Sequence, residues 1–228
     1  MTAVLVKHPR GDLLIDTGFG SDVGAALATL PAPFRAITSY TRGEPAARQL
    51  EAMDAGRPSA ILLTHAHWDH VSGLSDFPRT PVLVTAAEHA FIRGGGVLTA
   101  AARLVPDARY REYGFDGGAY LGFPESLDVH GDGSVVIVPA PGHTPGSVAI
   151  FVTLPNGQHV VFVGDLVWQR EGLTEREERP WLAKVLGDGD PAQVREGILR
   201  VSALAQRWPE LVLVPAHDAR GLDALQQR

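Results

Sequence analysis

The sequence predicts an α/β fold in which two groups of short strands form two sheets, with helices outside them. Three observations carry this expectation. Apolar runs punctuated by Gly, Pro and Asp fall into an early and a late group along the chain. Helix-opening signals lie between them. The 228 residues are 45% hydrophobic and 20% charged, an ordinary globular composition that suits a single domain over residues 1–228.

The elements follow in order. Val4–Val6 and Leu13–Ile15 read as a hairpin turning at Pro9-Arg10-Gly11-Asp12. Residues 45–53 read as a helix with Pro in its first turn. The run 60–63 has no polar alternation and reads as a buried strand, and 82–84 as another. Thr85-Ala86-Ala87-Glu88 has the form of a capping box that opens a helix through Ile92. Strands are expected at 135–138, 148–152 and 160–163, the last two separated by a Pro155-Asn156-Gly157 turn. Asp190-Pro191 opens the longest helix, which Pro209 ends. A strand at 211–214 and a short helix over 219–227 complete the chain. Residues 93–125, Gly-rich with scattered aromatics, are expected to lack regular structure, and neither they nor loop 19–43 carries a readable code.

Composition excludes whole classes of chemistry. With 20 Lys and Arg against 26 Asp and Glu, the formal charge is −6, without the basic footprint of a nucleic-acid binder. There is no cysteine, so disulfides, zinc–thiolate sites, thiol catalysis and iron–sulfur clusters are excluded. The N-terminal apolar run is too short for a signal-peptide core, and no stretch approaches the roughly 18–20 apolar residues of a membrane span. The reading is a cytoplasmic protein with a small-molecule substrate and no nucleic-acid or membrane partner. A homodimer stays open.

One segment outweighs the rest: Leu63-Thr64-His65-Ala66-His67-Trp68-Asp69-His70. Three imidazoles and a carboxylate fall within six residues, just after an expected strand. At a strand end, side chains two apart share a face, so His65 and His67 are expected to point one way. A turn into a helix then re-aims Asp69 and His70. This spacing suits two ligands on one metal and two on a neighbour. His143, Asp165 and His217 each follow a late strand, where further ligands can sit.

On these residues the chain resembles the metallo-β-lactamase-fold hydrolase superfamily, from Ile15-Asp16-Thr17-Gly18 to His217. The resemblance implies an αββα four-layer sandwich with a two-metal site at one edge. Carried over, His65, His67 and His143 hold one ion, Asp69, His70 and His217 the other, and Asp165 bridges both. The ions implied are divalent, zinc first, with iron, manganese or cobalt in some relatives. Two such ions about 3.5–4 Å apart can share a hydroxide and polarise a carbonyl or phosphoryl oxygen. In the family Asp69 also orients that hydroxide and helps protonate the leaving group. Asp16 is implied as support that orients the histidines, against a plain turn aspartate, and Thr64 as support or merely a strand end.

The branch with a bridging Asp resembles lactonases, thioesterases and phosphoesterases. A β-lactamase is disfavoured because this chain has Asp165 and no cysteine. Acyl-homoserine lactonases of the branch carry Tyr three residues after the bridging Asp, where this chain has Trp168. Indole offers an N–H but no hydroxyl, so that assistance is lost or comes from Tyr110, Tyr113 or Tyr120. The expected activity is hydrolysis of an ester or lactone, with an N-acyl homoserine lactone-like substrate first. Phosphoesters, phosphotriesters and thioesters are alternatives, and from another class a mononuclear iron persulfide dioxygenase.

Phe19 and Trp168 are expected to line an apolar substrate pocket. His8, His89, His130 and His159 read as surface or loop residues, and 170–179 as a solvated face of mixed charge. Gly18-Phe19-Gly20-Ser21-Asp22-Val23-Gly24 lacks the βαβ context of a dinucleotide site and reads as a turn.

Overall fold

A computed structural model describes residues 1–41, 43–177 and 187–226. The chain forms two compact units, Met1–Tyr113 and Gly114–Arg228.

The first unit is built on a five-stranded sheet of order β1-β2-β3-β4-β5, comprising Val4–Val6, Leu13–Ile15, Ala60–Leu62, Val82–Thr85 and Tyr110–Tyr113. The hairpin pairs Val4 with Ile15 and Val6 with Leu13 in antiparallel register, as its turn residues predict. From β2 onward every pairing is parallel. Parallel strands are covered on both faces and so lose polar alternation. Accordingly, β2 and β3 are buried at every position. Leu14, Ile61, Val82 and Val84 pack with Val71, Leu74 and Ile92 in the core of this unit. Each fully buried aliphatic side chain contributes roughly 1.5–3 kcal/mol.

Helix α1 (Val23–Ala28), α2 (Ala32–Ile37), α3 (Ala46–Ala52), α4 (Trp68–Val71) and α5 (Ala86–Arg93) connect these strands. Two of them lie in the stretch read as loop 19–43. Asp22 caps α1 by accepting from the Ala25 N–H at 3.0 Å. Pro31 precedes α2. Each helix has only 6 residues, about two turns, too short to show a periodic apolar face. Residues 93–125 are likewise more ordered than expected. They contain 3-10 turns at Ala101–Leu104 and Asp107–Arg109, and the edge strand β5. The β5 sequence Tyr-Arg-Glu-Tyr is half exposed, so it shows no apolar run.

The second unit has a five-stranded sheet of order β10-β9-β8-β7-β6: Val212–Pro215, His159–Gly164, Val148–Thr153, Val135–Pro139 and Leu127–Asp128. Its pairings are antiparallel except that of β9 with β10. Helix α6 is Glu171–Thr174, α7 is Pro191–Arg207 and α8 is Arg220–Gln226. The Asp190 carboxylate caps α7 by accepting from the N–H groups of Ala192 and Gln193, with Pro191 in the first turn. Val194, Ile198, Val201 and Leu204 form the buried stripe of α7 within the core of this unit. No helix among the described residues is long and apolar enough to cross a membrane.

Candidate functional site

The first unit gathers the H-x-H-x-D-H residues at the exit of β3. Leu63 to Ala66 leave the strand in loop, His67 is the N-cap of α4, and Asp69 and His70 lie within that helix. His65, His67 and His70 are buried and Asp69 is half buried. The His65 ring stands 4.8 Å from that of His67, edge-on, and 3.8 Å from that of His70. Asp69 Oδ2 lies 3.9 Å from His70 Nε2.

Asp16 organises this cluster from the end of β2. Its φ of 52° is in the left-handed region, which Asp tolerates better than most residues. Its backbone N–H donates to the Leu62 carbonyl at 3.0 Å, so the carboxylate lies under the next strand's exit. Asp16 Oδ1 accepts from the Thr64 N–H at 2.8 Å. Oδ2 accepts from the Thr64 hydroxyl at 2.7 Å and from His70 Nδ1 at 2.9 Å. With its proton committed to Asp16, the Thr64 oxygen can accept from His65 Nδ1 at 3.3 Å. The strand-end aspartate is therefore a shared acceptor for a backbone turn, a hydroxyl and an imidazole. Thr17 adds its own hydroxyl bond, at 2.7 Å, to the His70 carbonyl.

The second unit gathers His143, Asp165 and His217. They follow β7, β9 and β10 respectively. Asp165 Oδ2 is 3.6 Å from His143 Nε2, and Oδ1 is 3.3 Å from His217 Nε2. Gly142, before His143, has φ +128° and stands so close to α7 that an added Cβ would be 2.5 Å from the Val194 nitrogen. The Asp190 N–H donates to the Gly142 carbonyl and the Gly189 N–H to that of His143. The segment before α7 thus runs along the His143 turn and places Asp188 against the ring, with Oδ1 accepting from His143 Nδ1 at 2.9 Å.

Two carboxylates that the sequence reading did not single out bear on these histidines. Asp188 lies in Gly187-Asp188-Gly189-Asp190, which offers only a helix start to a reader of the sequence. Glu88 was read only as part of a capping box. Thr85 does accept from the Glu88 N–H, at 3.1 Å, but the Glu88 carboxylate also reaches the Ala66 N–H at 2.6 Å.

Trp168 donates its indole N–H to Asp165 Oδ2 at 3.1 Å, and its ring lies 5.9 Å from that of His217. It is 39% exposed, the only large aromatic near these three residues that is open to solvent among the described residues of this unit. Phe19 stacks on Trp68 at 5.4 Å, meets Tyr40 edge-on at 5.4 Å, and lines a cavity of about 260 Å³ with Leu5, Leu14, Thr17 and Met53.

The tyrosines considered as hydroxyl donors are placed differently. Tyr110 is buried and donates to the Ala102 carbonyl at 2.6 Å. Tyr113 is half buried as a residue, but burial around its hydroxyl and then the charge of Glu88 push its pKa well above the usual phenol value. Tyr120 packs edge-on against Phe151.

One surface reading is corrected. His89 is buried rather than exposed, and its Nδ1 and Nε2 face Glu112 at 2.7 Å and Asp107 at 2.8 Å. The run 170–179 is a mostly exposed face of mixed charge over its described residues, as the sequence predicts, and on it Glu171 is paired with Arg220 through both carboxylate oxygens. Arg220 also grips Asp218 and holds its carboxyl down at about 2. Residues 178 and 179 of that run lie outside the described residues.

The donor chemistry fits a divalent cation. Carboxylates accept from Nδ1 of His70 and of His143. A neutral ring held this way carries its lone pair on Nε2, the tautomer that ligation through that nitrogen requires. Imidazole and carboxylate together suit zinc and other first-row ions.

The metallo-beta-lactamase superfamily profile matches residues 2–217, and the chain belongs to that superfamily, with the α/β fold that the sequence predicts. A probable metallo-hydrolase of Mycobacterium tuberculosis is 34% identical over 240 residues, covering 94% of this chain and 73% of its own. The N-acyl homoserine lactonase AttM of Agrobacterium fabrum is 25% identical over 198 residues, covering 80% of this chain and 70% of its own. A solved N-acyl homoserine lactone hydrolase, with the product N-hexanoyl-L-homoserine at its catalytic metal centre, superposes with TM-score 0.68 at 18% identity. That match covers 96% of this chain and 82% of the other.

Proposed function

We propose that this protein is a dinuclear metal-dependent hydrolase of esters, with lactones of the N-acyl homoserine type as the first substrate class. The observation that carries the reading is the orientation of the histidines. Asp16 accepts from Nδ1 of His70 and Asp188 from Nδ1 of His143, which leaves Nε2 of both neutral rings to serve as a metal donor.

His65, His67 and His143 are proposed for one ion, Asp69, His70 and His217 for the other, and Asp165 for both. Zinc suits this donor set, and manganese, iron or cobalt would serve the same geometry. When bound, two such ions lower the pKa of a coordinated water and polarise the carbonyl under attack.

The remaining roles belong to the chain. Asp69, half buried beside His70 Nε2, is proposed to orient the attacking water and to pass its proton to the leaving alkoxide. Trp168 donates its N–H to Asp165 Oδ2 and offers an exposed ring face for the acyl part of a substrate. Phe19 is the second aromatic proposed to meet the substrate. Indole cannot replace a phenol as a proton donor, so oxyanion stabilisation would rest on the cations. The resemblance to lactonases supports this substrate class, which is bound as product in the structural relative named above.

The test is proton release in a pH-stat from an N-acyl homoserine lactone, using protein loaded with zinc or manganese and Asp165→Asn as the control. Turnover that vanishes in the variant is expected. Metal-loaded protein that leaves lactones intact but cleaves aryl esters or phosphotriesters would overturn the substrate class. Failure to bind any of these metals would overturn the metallohydrolase itself.

A further inference from the structure

We infer that Glu88 is a positioning residue for the metal ligands His65 and His67, acting through the backbone of Ala66. The inference rests on the metal-binding reading above and adds a residue outside the proposed ligand set.

The observation is a deeply buried carboxylate with a specific target. Glu88 is 1% exposed and Ala66 is 0% exposed. Glu88 Oε1 accepts from the Ala66 N–H at 2.6 Å. Ala66 is the single residue between the two histidines, in the loop that leaves β3 and enters α4 at His67. An N–H at this point fixes the peptide plane between the two ring-bearing residues. The dihedral relation between His65 and His67 is thereby tied to a side chain from elsewhere in the unit.

The origin of that side chain is itself well anchored. Glu88 is in the first turn of α5, whose N-cap Thr85 accepts from the Glu88 N–H at 3.1 Å. Thr85 ends β4, which pairs in parallel with β3. The carboxylate therefore stands on the neighbouring strand–helix junction and braces the loop that leaves β3. Burying a carboxylate is unfavourable unless it is hydrogen-bonded. A neutral apolar residue would fill the same space without that cost, so the acid at this position is explained by the donor it meets. A backbone N–H held by a side-chain oxygen at this distance makes a short, directional bond, which is what a turn carrying two ligands needs. Holding ligands by groups behind them typically changes metal affinity by about 10–100-fold.

The variants separate reach from charge and from bulk. Glu88→Gln keeps an oxygen acceptor at the same reach. Glu88→Asp keeps the carboxylate but is one methylene too short. Glu88→Leu fills the space with no acceptor. Affinity for zinc is read by competition with a chromophoric chelator, ligand geometry by the visible spectrum of the cobalt form, and folding of the metal-free proteins by circular dichroism.

The expected result is near wild-type zinc affinity and cobalt spectrum for Glu88→Gln. Glu88→Asp and Glu88→Leu should lose about 10–100-fold in affinity, with an altered cobalt spectrum and native circular dichroism. If Glu88→Leu does not fold, the comparison of Glu88→Asp with Glu88→Gln decides alone. Variants with lowered melting temperature but wild-type affinity and spectrum would overturn the inference, because Glu88 would then serve the fold only. Wild-type protein that binds neither zinc nor cobalt would instead overturn the metal reading on which the inference stands.

Discussion

Trp168 donates its indole N–H to Asp165 Oδ2 across 3.1 Å, three residues along the same loop. Asp165 also lies within 3.6 Å of both His143 Nε2 and His217 Nε2, so the indole restrains a carboxylate on which two histidines converge. Trp168→Phe keeps the apolar ring and removes the donor. Its expected signature is a kcat for the proposed lactone hydrolysis lowered by about tenfold, the loss of one hydrogen bond to a charged group, with KM little changed. Trp168→Ala should raise KM as well, because the exposed ring face goes too. Steady-state kinetics on a series of acyl chain lengths separates the two effects, and identical behaviour of the two variants would refute the division of roles.

Asp16 and Asp188 play one part in two places, accepting from the Nδ1 of His70 and of His143 respectively. Replacement by Asn presents an amide where the ring needs an acceptor. If the amide N–H turns toward the ring, the imidazole must accept on Nδ1, which moves its own proton to Nε2 and blocks ligation there. Asp16→Asn and Asp188→Asn are therefore expected to weaken zinc binding by about 10–100-fold. Competition with a chromophoric chelator measures this. Wild-type affinity in both variants would show that the carboxylates do not set the tautomer.

Gly142 makes a prediction about stability. Its φ of +128° is disfavoured for any residue with a Cβ, and an added Cβ would lie 2.5 Å from the Val194 nitrogen in the first turns of α7. Strain in such a region costs of order 1–3 kcal/mol before the overlap is counted. Gly142→Ala should lower the melting temperature by at least roughly 2 °C for a chain of this size. It should also weaken metal binding, because the Gly142 and His143 carbonyls are the acceptors for the Asp190 and Gly189 N–H groups. A thermal melt of the metal-free protein tests the first statement independently of the second.

How far the sequence could be read follows from where each signal lives. The strands β2, β3, β7, β8 and β9 are buried nearly throughout, so continuous apolar runs announced them. The capped helices α5 and α7 were announced by Thr85 and Asp190. Strand β5 was missed because an edge strand need not be apolar, and α1 and α2 because six residues cannot display a face. The candidate ligands were legible because their chemistry requires particular residue types at tight spacing. Their supports were less so. Asp16 stood next to the motif's resemblance, whereas Asp188 meets His143 from 45 residues away and Glu88 meets Ala66 from 22 away. Contacts at such separation leave no periodic trace. His89 shows the reverse error: a polar residue was assigned to the surface, although carboxylates on both sides allow it to be buried.

Tyr110 supplies a prediction about pH. Burial raises its phenol well above the ordinary value of 10.0, and its hydroxyl donates to the Ala102 carbonyl at 2.6 Å. In the unfolded chain the phenol ionises near its ordinary value, while in the native protein it stays protonated to higher pH. Between these two pKa values the native state binds more protons than the unfolded state, so stability falls as pH rises. The contribution is fully present below pH 10 and is lost above it, at up to about 1.4 kcal/mol per pH unit for one group. Tyr113 and Tyr120, also raised chiefly by burial, act with the same sign. Tyr110→Phe should be less stable than wild type at neutral pH by about 1 kcal/mol, the worth of one hydrogen bond. Above pH 10 that gap should narrow, because the variant has one fewer group to ionise on unfolding. Urea unfolding followed from neutral to strongly alkaline pH measures both slopes. Parallel curves for the two proteins would show that Tyr110 ionises equally in the folded and unfolded states.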